Sequence, residues 1–277
     1  MQFNSKKSSA AASIIAAFGF LLIFSALAGC QKDPIDPSPI EPPVTPPPAL
    51  EKKILDFYIP FKNVVINEEK RQVIIYETEE LEPVTPTIEV SDGVTIQPAS
   101  GVAVDENQPV TYTLTATDGT TTTYALIICN VEWEYLETRP GGGFSITGMG
   151  HFKEPWTAVS KNGILTLHFG RDTESAMDIC LNSPVSPALV KQFSVGNYTP
   201  ANVPAGKAGA TFVYRENGVV KTFANPQAGI LTITQYDAAK STISGNFEQV
   251  KYAGIGTETQ GNTYLSGSFE NLPLEIK

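Results

Sequence analysis

Two short segments near the C-terminus, ISGNFEQ (Ile243–Gln249) and LSGSFEN (Leu265–Asn271), repeat one pattern: an aliphatic residue, Ser-Gly, a polar residue and Phe-Glu. A second pair, GILTLHF (163–169) and GILTITQYD (229–237), is also similar. Each segment has the length and β-prone composition of a strand. The paired segments share no flanking sequence and no fixed period, so they indicate convergent strand patterning rather than a duplicated unit.

The rest of the chain has the same β-prone character. It is rich in Thr, Val, Ile, Tyr and Gly, and no long apolar stripe with a 3.6-residue period is present. Short β-prone runs punctuated by turn residues continue from Ile54 to Asn130 and again from Phe144 onward. The sequence therefore predicts an all-β protein with two sandwich-type domains, the second being a sandwich or a partly open barrel.

The clearest strand pair is PVTYTLTATDGTTTTYALIICN, Pro109–Asn130. In its first half Tyr112 and Leu114 alternate with threonines, which is typical of a strand with one buried face. Asp118-Gly119 supplies residues that tolerate positive φ, so a tight hairpin turn is expected there.

The N-terminus has the order of a secretory signal: two lysines, an apolar run and small residues before Cys30. Leu27–Cys30 resembles the lipobox of bacterial lipoproteins, in which the cysteine is acylated after cleavage. Gln31, following the cysteine, favours the outer membrane under that resemblance. The proline-rich segment 31–48 favours an extended spacer of roughly 50 Å.

These features predict a signal peptide at 1–29, a lipid-bearing linker at 30–50, a first β domain at 51–130 and a second at 131–277. Pro86–Ile128 resembles the immunoglobulin-like, cadherin-like modules of Bacteroidetes surface lipoproteins, through its P-x-x-G turn and the hairpin described above. That resemblance implies a spacer or presenting module without chemistry.

The second domain carries a resemblance of its own. Gly229–Glu248, together with GSFENL near the C-terminus, resembles the C-terminal domain of a group of Bacteroidetes lipoproteins. This resemblance implies a fold and no activity.

Charge and cysteine content restrict the partners. The chain has 29 acidic and 19 basic residues, a net charge of −10, which disfavours nucleic acid. With Cys30 assigned to lipid, Cys129 and Cys180 remain for an oxidising compartment. They could form a disulfide, or each could be a buried thiol in its apolar strand.

Catalytic and metal motifs are not found. His151 and His168 have no cysteine or histidine at zinc-ligand spacing, and no G-x-S-x-G elbow occurs. The glycine-rich segment before FSITGM precedes a strand rather than a helix, which disfavours a phosphate loop. Glu132 and Glu134 are the nearest carboxylate pair. We therefore expect no enzyme, no cofactor and no metal.

Aromatic residues are the main candidates for binding. Trp133, flanked by glutamates, is expected to be exposed, whereas Trp156 is expected in the core. Tyr198, in the long loop VGNYTPANVPAGKAG (Val195–Gly209), is the second candidate ligand contact. Two functions follow: a lipid-anchored outer-membrane protein that faces the cell surface or the periplasm and binds a polysaccharide or an envelope protein, or a subunit of an envelope assembly such as a fimbria.

Replacing Cys30 with serine should release the protein from membranes, because the acylated sulfur would be lost. Membrane fractionation and fatty-acid labelling measure this. Wild-type protein that carries no labelled fatty acid, with the variant still bound to membranes, would contradict the lipobox assignment.

Overall fold

The computed structural model describes residues 50–77, 83–105, 108–139, 143–150, 152, 154–170, 175–216, 218–253 and 262–277. The predicted signal peptide, the predicted lipidation site Cys30 and the proline-rich segment lie outside these ranges. Residues 49–277 form one compact unit.

The all-β prediction is confirmed. The strands are β1 (Ile54–Tyr58), β2 (Asn63–Asn67), β3 (Gln72–Glu77), β4 (Thr87–Val90), β5 (Val94–Gln97), β6 (Thr111–Ala116), β7 (Thr121–Arg139), β8 (Gly143–Gly150), β9 (Thr157–Lys161), β10 (Ile164–Gly170), β11 (Ala176–Asn182), β12 (Gln192–Gly196), β13 (Lys207–Glu216), β14 (Val219–Phe223), β15 (Ala228–Asp237), β16 (Thr242–Ala253) and β17 (Asn262–Ile276). Helical structure in the described residues is limited to a 3-10 turn at Pro187–Leu189.

Eight strands form a closed ring in the order β9-β10-β11-β13-β12-β15-β16-β17. The ring closes where Leu274–Ile276 of β17 pairs in parallel with Ala158–Ser160 of β9. The N-terminal half of β17, Thr263–Glu270, also pairs with β7, which continues the sheet through β3 to β2. The remaining sheet consists of β1 and β4.

Two hydrophobic cores result. The ring core fills the closed ring and includes Phe169, Phe212, Phe247 and Phe269. The N-terminal core lies between the β1–β4 sheet and the first half of the large sheet, and Tyr112 and other residues of the predicted hairpin belong to it.

Strands β3 and β7 contribute to both cores, because successive side chains of a strand point to opposite faces. In β3, Val73 and Ile75 belong to the N-terminal core, whereas Ile74 and Tyr76 belong to the ring core. All six residues of β3 are buried. The sheet between the cores is therefore apolar on both sides.

The predicted boundary between residues 130 and 131 falls inside β7. Alternate residues of β7 pack into the two cores: Tyr124 and Leu126 into one, Ile127, Cys129 and Val131 into the other. Folding of two independent domains remains a prediction, and the structure adds that one strand serves both of them.

The two repeated segments pair with each other in β16 and β17. Gly245 is opposite Phe269, and Phe247 is opposite Gly267. A Cβ atom on Gly245 would lie 2.7 Å from Cζ of Phe269, and one on Gly267 would lie 2.5 Å from Cζ of Phe247. Each phenylalanine ring therefore covers the glycine of the other segment. We call these four residues the Gly-Phe clamp.

The serines of the two segments, Ser244 and Ser266, accept equivalent hydrogen bonds from the opposite segment. The backbone N–H of Asn271 donates to Oγ of Ser244 at 2.9 Å, and that of Gln249 donates to Oγ of Ser266 at 3.0 Å. Asn271 and Gln249 have positive φ (50° and 47°) and lie where the strand register shifts. Each serine thus satisfies a backbone donor at the bulge of the opposite segment.

The hairpin prediction is confirmed, with one change in its turn. Strand β6 pairs antiparallel with the start of β7, with Tyr112 opposite Tyr124. Only Gly119 has positive φ (80°) in this turn. The carboxylate of Asp118 instead accepts hydrogen bonds from the backbone N–H and hydroxyl of Thr120 at 2.8 and 2.6 Å. Strands β2 and β12 were not predicted from the sequence.

Cys129 and Cys180 are both buried free thiols, on β7 and β11, and so do not form a disulfide. Burial raises the pKa of each thiol, and it raises that of Cys129 well above its usual value. The thiol of Cys180 also contacts the backbone oxygen of Tyr198 at 3.8 Å.

Replacing Gly267 with alanine should lower the free energy of unfolding by about 1–3 kcal/mol, because the added methyl group overpacks the clamp. Its Cβ would also lie 2.3 Å from the carbonyl oxygen of Glu132. Urea denaturation measures the change. The neighbouring exposed Ser268, replaced with alanine, is the control, and an equal effect of both variants would contradict the clamp.

Native protein should react with iodoacetamide at pH 8 far more slowly than unfolded protein, because both thiols are buried and have raised pKa values. Mass spectrometry should find no modification at Cys129 or Cys180 until denaturant is added. Rapid modification of Cys129 in the folded state would contradict its burial in the ring core.

Candidate functional site

A row of polar residues crosses four neighbouring strands on the outer face of the large sheet. Thr232 of β15 pairs with Asn246 of β16, Asn246 with Ser268 of β17, and Ser268 with Glu132 of β7. Residues directly opposite on paired strands point to the same face. Their sequence neighbours Leu231, Phe247, Gly267 and Trp133 face the ring core. We call the row Thr232, Asn246, Ser268 and Glu132 the polar sheet face.

An open groove of about 270 Å³ lies on this face. Its lining comes from three adjacent strands, and among the described residues the only aromatic contribution is Phe269, whose ring is buried. The lining residues are Thr234, Gln235, Ser244, Gly245, Asn246, Ser268, Phe269, Glu270 and Asn271. Most of them belong to the two repeated segments, so the segments that form the clamp also form the groove.

Asn246 is the central polar residue of the groove. Its Nδ2 donates to Oε1 of Glu248 at 3.3 Å. Its Oδ1 is buried and has no hydrogen-bond partner among the described residues. A buried acceptor without a partner is unfavourable. Because neighbouring atoms cover this oxygen, the half-exposed Asn246 side chain must rotate before a ligand hydroxyl in the groove can donate to it.

Other polar groups of the groove are fixed by the fold. Ser244 is 9 % exposed and accepts the hydrogen bond from the backbone of Asn271. The side-chain amide of Asn271 donates to the carbonyl oxygen of Ile128 at 3.0 Å, which links the groove to β7. These bonds hold the floor of the groove in place without using the acceptor of Asn246.

Carboxylates dominate the charge of this face. Glu132, Glu134, Glu248 and Glu270 are exposed on β7, β16 and β17. Within the part of the chain that the structure covers, no lysine or arginine lines the groove. The face therefore accepts hydrogen bonds from neutral donors and repels anions.

The expectation that Trp133 is exposed was wrong. Trp133 is 8 % exposed and belongs to the ring core. Its ring stacks on Phe152, with centroids 5.1 Å apart, and contacts Phe212 edge-on at 5.6 Å. The flanking Glu132 and Glu134 are exposed because they lie on the opposite face of β7. Strict alternation in this strand was the signal that could have placed Trp133 inside.

Trp156 is fully buried, as predicted. Its Nε1 donates to the carbonyl oxygen of Phe152 at 2.8 Å, and its ring meets that of Tyr76 edge-on at 5.4 Å. Burial raises the pKa of Tyr76 to about 12. This pair joins β3 to the ring core.

Tyr198 is half-buried and does not line the groove. A Cβ atom on Gly196 would lie 2.8 Å from Cε2 of Tyr198, so the ring packs on the end of β12. The following loop is held by bonds between Thr199 and Asn202 and by the side chain of Asn182 on Val203. Ligand contact by Tyr198 remains a prediction.

The structure also locates His168 and the FSITGM segment, which the sequence analysis considered. His168 lies on β10 as predicted, and its Nδ1 is 2.6 Å from a carboxylate oxygen of Asp178. Residue His151 lies outside the described residues. Within the described ranges, no group of three His, Cys, Asp or Glu residues could hold a metal ion. FSITGM is part of strand β8, as expected.

No helix among the residues that the structure covers has the length and apolar character needed to cross a bilayer.

Comparisons with known proteins agree with part of this picture. Residues 54–128 match the family model described as "SGBP, N-terminal", the N-terminal module of Bacteroidetes surface glycan-binding proteins. The match covers the segment that resembles modules of Bacteroidetes surface lipoproteins, and it supports the cell-surface part of that resemblance. Among curated proteins, none matches the chain.

One solved structure also aligns with the chain. It comes from Bacteroides thetaiotaomicron and is provisionally described as a glycoside hydrolase. The alignment covers 81 % of this chain and 91 % of the other, with 16 % identity and a TM-score of 0.28. A likeness at this TM-score carries no argument about fold or activity. What the comparisons show is that residues 54–128 are similar to the N-terminal module of SGBP proteins.

Proposed function

We propose that the protein is a non-enzymatic lipoprotein of the outer membrane that binds a neutral polysaccharide at the cell surface through the polar sheet face. The observation that carries the proposal is the groove on β15, β16 and β17, whose lining includes Asn246, a residue with an unpartnered side-chain oxygen. The match of residues 54–128 to the SGBP family model supports the ligand class.

The chemistry of the groove favours a ligand rich in hydroxyl groups. Amide, hydroxyl and carboxylate side chains can each accept a hydrogen bond from a sugar hydroxyl. The exposed carboxylates of Glu132 and Glu270 repel uronate or sulfate groups on the ligand. A neutral glycan satisfies both conditions, whereas an anionic one satisfies only the first.

The shape of the site favours an extended chain. Neighbouring strands lie about 4.8 Å apart, so the four-strand row from Thr232 to Glu132 spans about 14 Å. The groove is open along the outer face of the sheet and is lined by three strands. Such a surface contacts the side of a polysaccharide rather than enclosing its end.

The N-terminal segments fit this role. Acylation of Cys30 would anchor the protein, and the proline-rich spacer would hold the β-domains away from the membrane. The absence of a nucleophile, metal or base motif from the sequence underlies the non-enzymatic part of the proposal.

Replacing Asn246 with alanine should weaken binding of a neutral polysaccharide about tenfold, because a neutral hydrogen-bond acceptor of the groove is lost. Affinity electrophoresis in neutral and anionic polysaccharide gels, followed by calorimetry with oligosaccharides, measures this. Thr211, exposed on β13 away from the groove lining, gives the control variant Thr211→Ala. Thermal melting should show both variants folded.

Replacing Glu132 and Glu270 with glutamine tests the charge argument. The double variant should gain affinity for anionic polysaccharide, because the repulsion is removed while hydrogen bonding remains. Wild-type protein that binds no neutral glycan, or an Asn246→Ala variant that binds as well as wild type, would refute the proposed site. If the protein binds no glycan but captures an envelope protein, the result would favour the assembly-subunit hypothesis.

A further inference from the structure

The turn between β1 and β2 carries an unusual aromatic residue. The backbone N–H of Lys62 donates to the carbonyl oxygen of Ile59 at 3.3 Å, which closes a turn with Pro60 and Phe61 at its centre. Phe61 has φ of 64°. The position after proline in such a turn normally holds glycine or asparagine, because positive φ brings a Cβ atom close to the backbone.

The side chain of Phe61 makes no stabilising packing contact with the described residues. Its exposure is 107 %, so no described residue covers the ring. The preceding Phe57 and Ile59 are each 4 % exposed and pack in the N-terminal core, whereas Tyr58 is 55 % exposed. Two aromatic side chains therefore face solvent within four residues of one another.

The positive φ of Phe61 and the exposure of its ring are both energetically unfavourable. A bulky residue at positive φ strains the backbone, and a fully exposed apolar ring is poorly hydrated. A glycine would remove both costs. Strain of this kind tends to persist where the side chain serves a function.

Fixed polar groups lie next to the turn. Lys62 forms an ion pair with the buried Glu77, and the side-chain amide of Asn63 donates to Oε1 of Glu154 at 3.1 Å. The turn is thus held firmly on β3 and on the segment that precedes β9. Aromatic side chains and a few fixed polar groups are common constituents of ligand sites.

The sheet connects this turn to the groove. Glu270, which lines the groove, pairs with Asn130 of β7, and Asn130 pairs with Glu77 of β3. Glu77 in turn holds Lys62, the residue after Phe61. With about 4.8 Å between strands, the backbones of Lys62 and Glu270 are about 14 Å apart across the sheet, a distance shorter than an extended oligosaccharide.

We propose that Phe61, together with Tyr58, forms an aromatic platform that stacks on the apolar face of a sugar ring in the same polysaccharide chain that occupies the groove. The inference rests on the proposed glycan-binding function. It assigns a ligand contact to the N-terminal module, which the resemblance to spacer modules leaves without one.

The test compares Phe61→Gly and Phe61→Ala with wild type. Phe61→Gly should fold with an unchanged or higher melting temperature, because backbone strain is relieved. Its affinity for the longest neutral oligosaccharide that wild type binds should fall about tenfold, while affinity for a disaccharide should change less than twofold. Ile276, another exposed apolar residue, gives the control Ile276→Ala, which should bind as wild type.

The outcomes separate the two proposals. If both Phe61 variants keep wild-type affinity for the long ligand while Asn246→Ala loses it, the platform is refuted and the groove stands. Wild-type protein that binds no glycan would refute both. Loss of a captured protein partner, with glycan affinity unchanged, would also overturn the sugar-stacking assignment.

Discussion

The reciprocal packing of Phe247 on Gly267 and of Phe269 on Gly245 is the contact on which the closed ring depends. It aligns β16 with β17 at the point where both strands shift register. Across the interior the ring of Phe169 lies 5.5 Å from Phe269 and 6.2 Å from Phe247. A side chain at either glycine would displace a phenylalanine from this cluster, and the opposite wall of the ring would lose its packing partner.

The same four residues determine what the outer surface can be. Because the phenylalanines point inward, their neighbours Asn246 and Ser268 must point outward. The bulges that accompany the clamp place Ser244 and Asn271 at the groove floor. Core packing and a polar surface are therefore encoded by one short pattern, which explains why it occurs on two strands that share no flanking sequence.

Local patterns in the sequence predicted most strands and the all-β class, because alternation and turn residues are local signals. They placed β10, β16 and β17 correctly. They missed β2 and β12, which are short and carry asparagine, glutamine or glycine at their ends.

Trp133 was misplaced because its acidic neighbours were taken as evidence of exposure, although alternation places neighbours on opposite faces. Long-range relations, such as the pairing of the two repeated segments and the sharing of β3 and β7 by two cores, depend on strand order, which composition does not specify. The exposed Phe61 was also missed, since an apolar residue in a β-prone run gives no sign that its backbone has positive φ.

The position of β17 has a consequence for how the chain acquires its structure. This strand pairs with β16, β7 and β9, yet it follows all three of them in the sequence. The contacts of β17 with β7 and β9, which lie about 100 or more residues earlier, form slowly because a long loop must close first. A chain synthesised from its N-terminus would expose the aromatic interior of the ring until β17 is complete. During that interval the exposed apolar surface would be prone to associate with other chains.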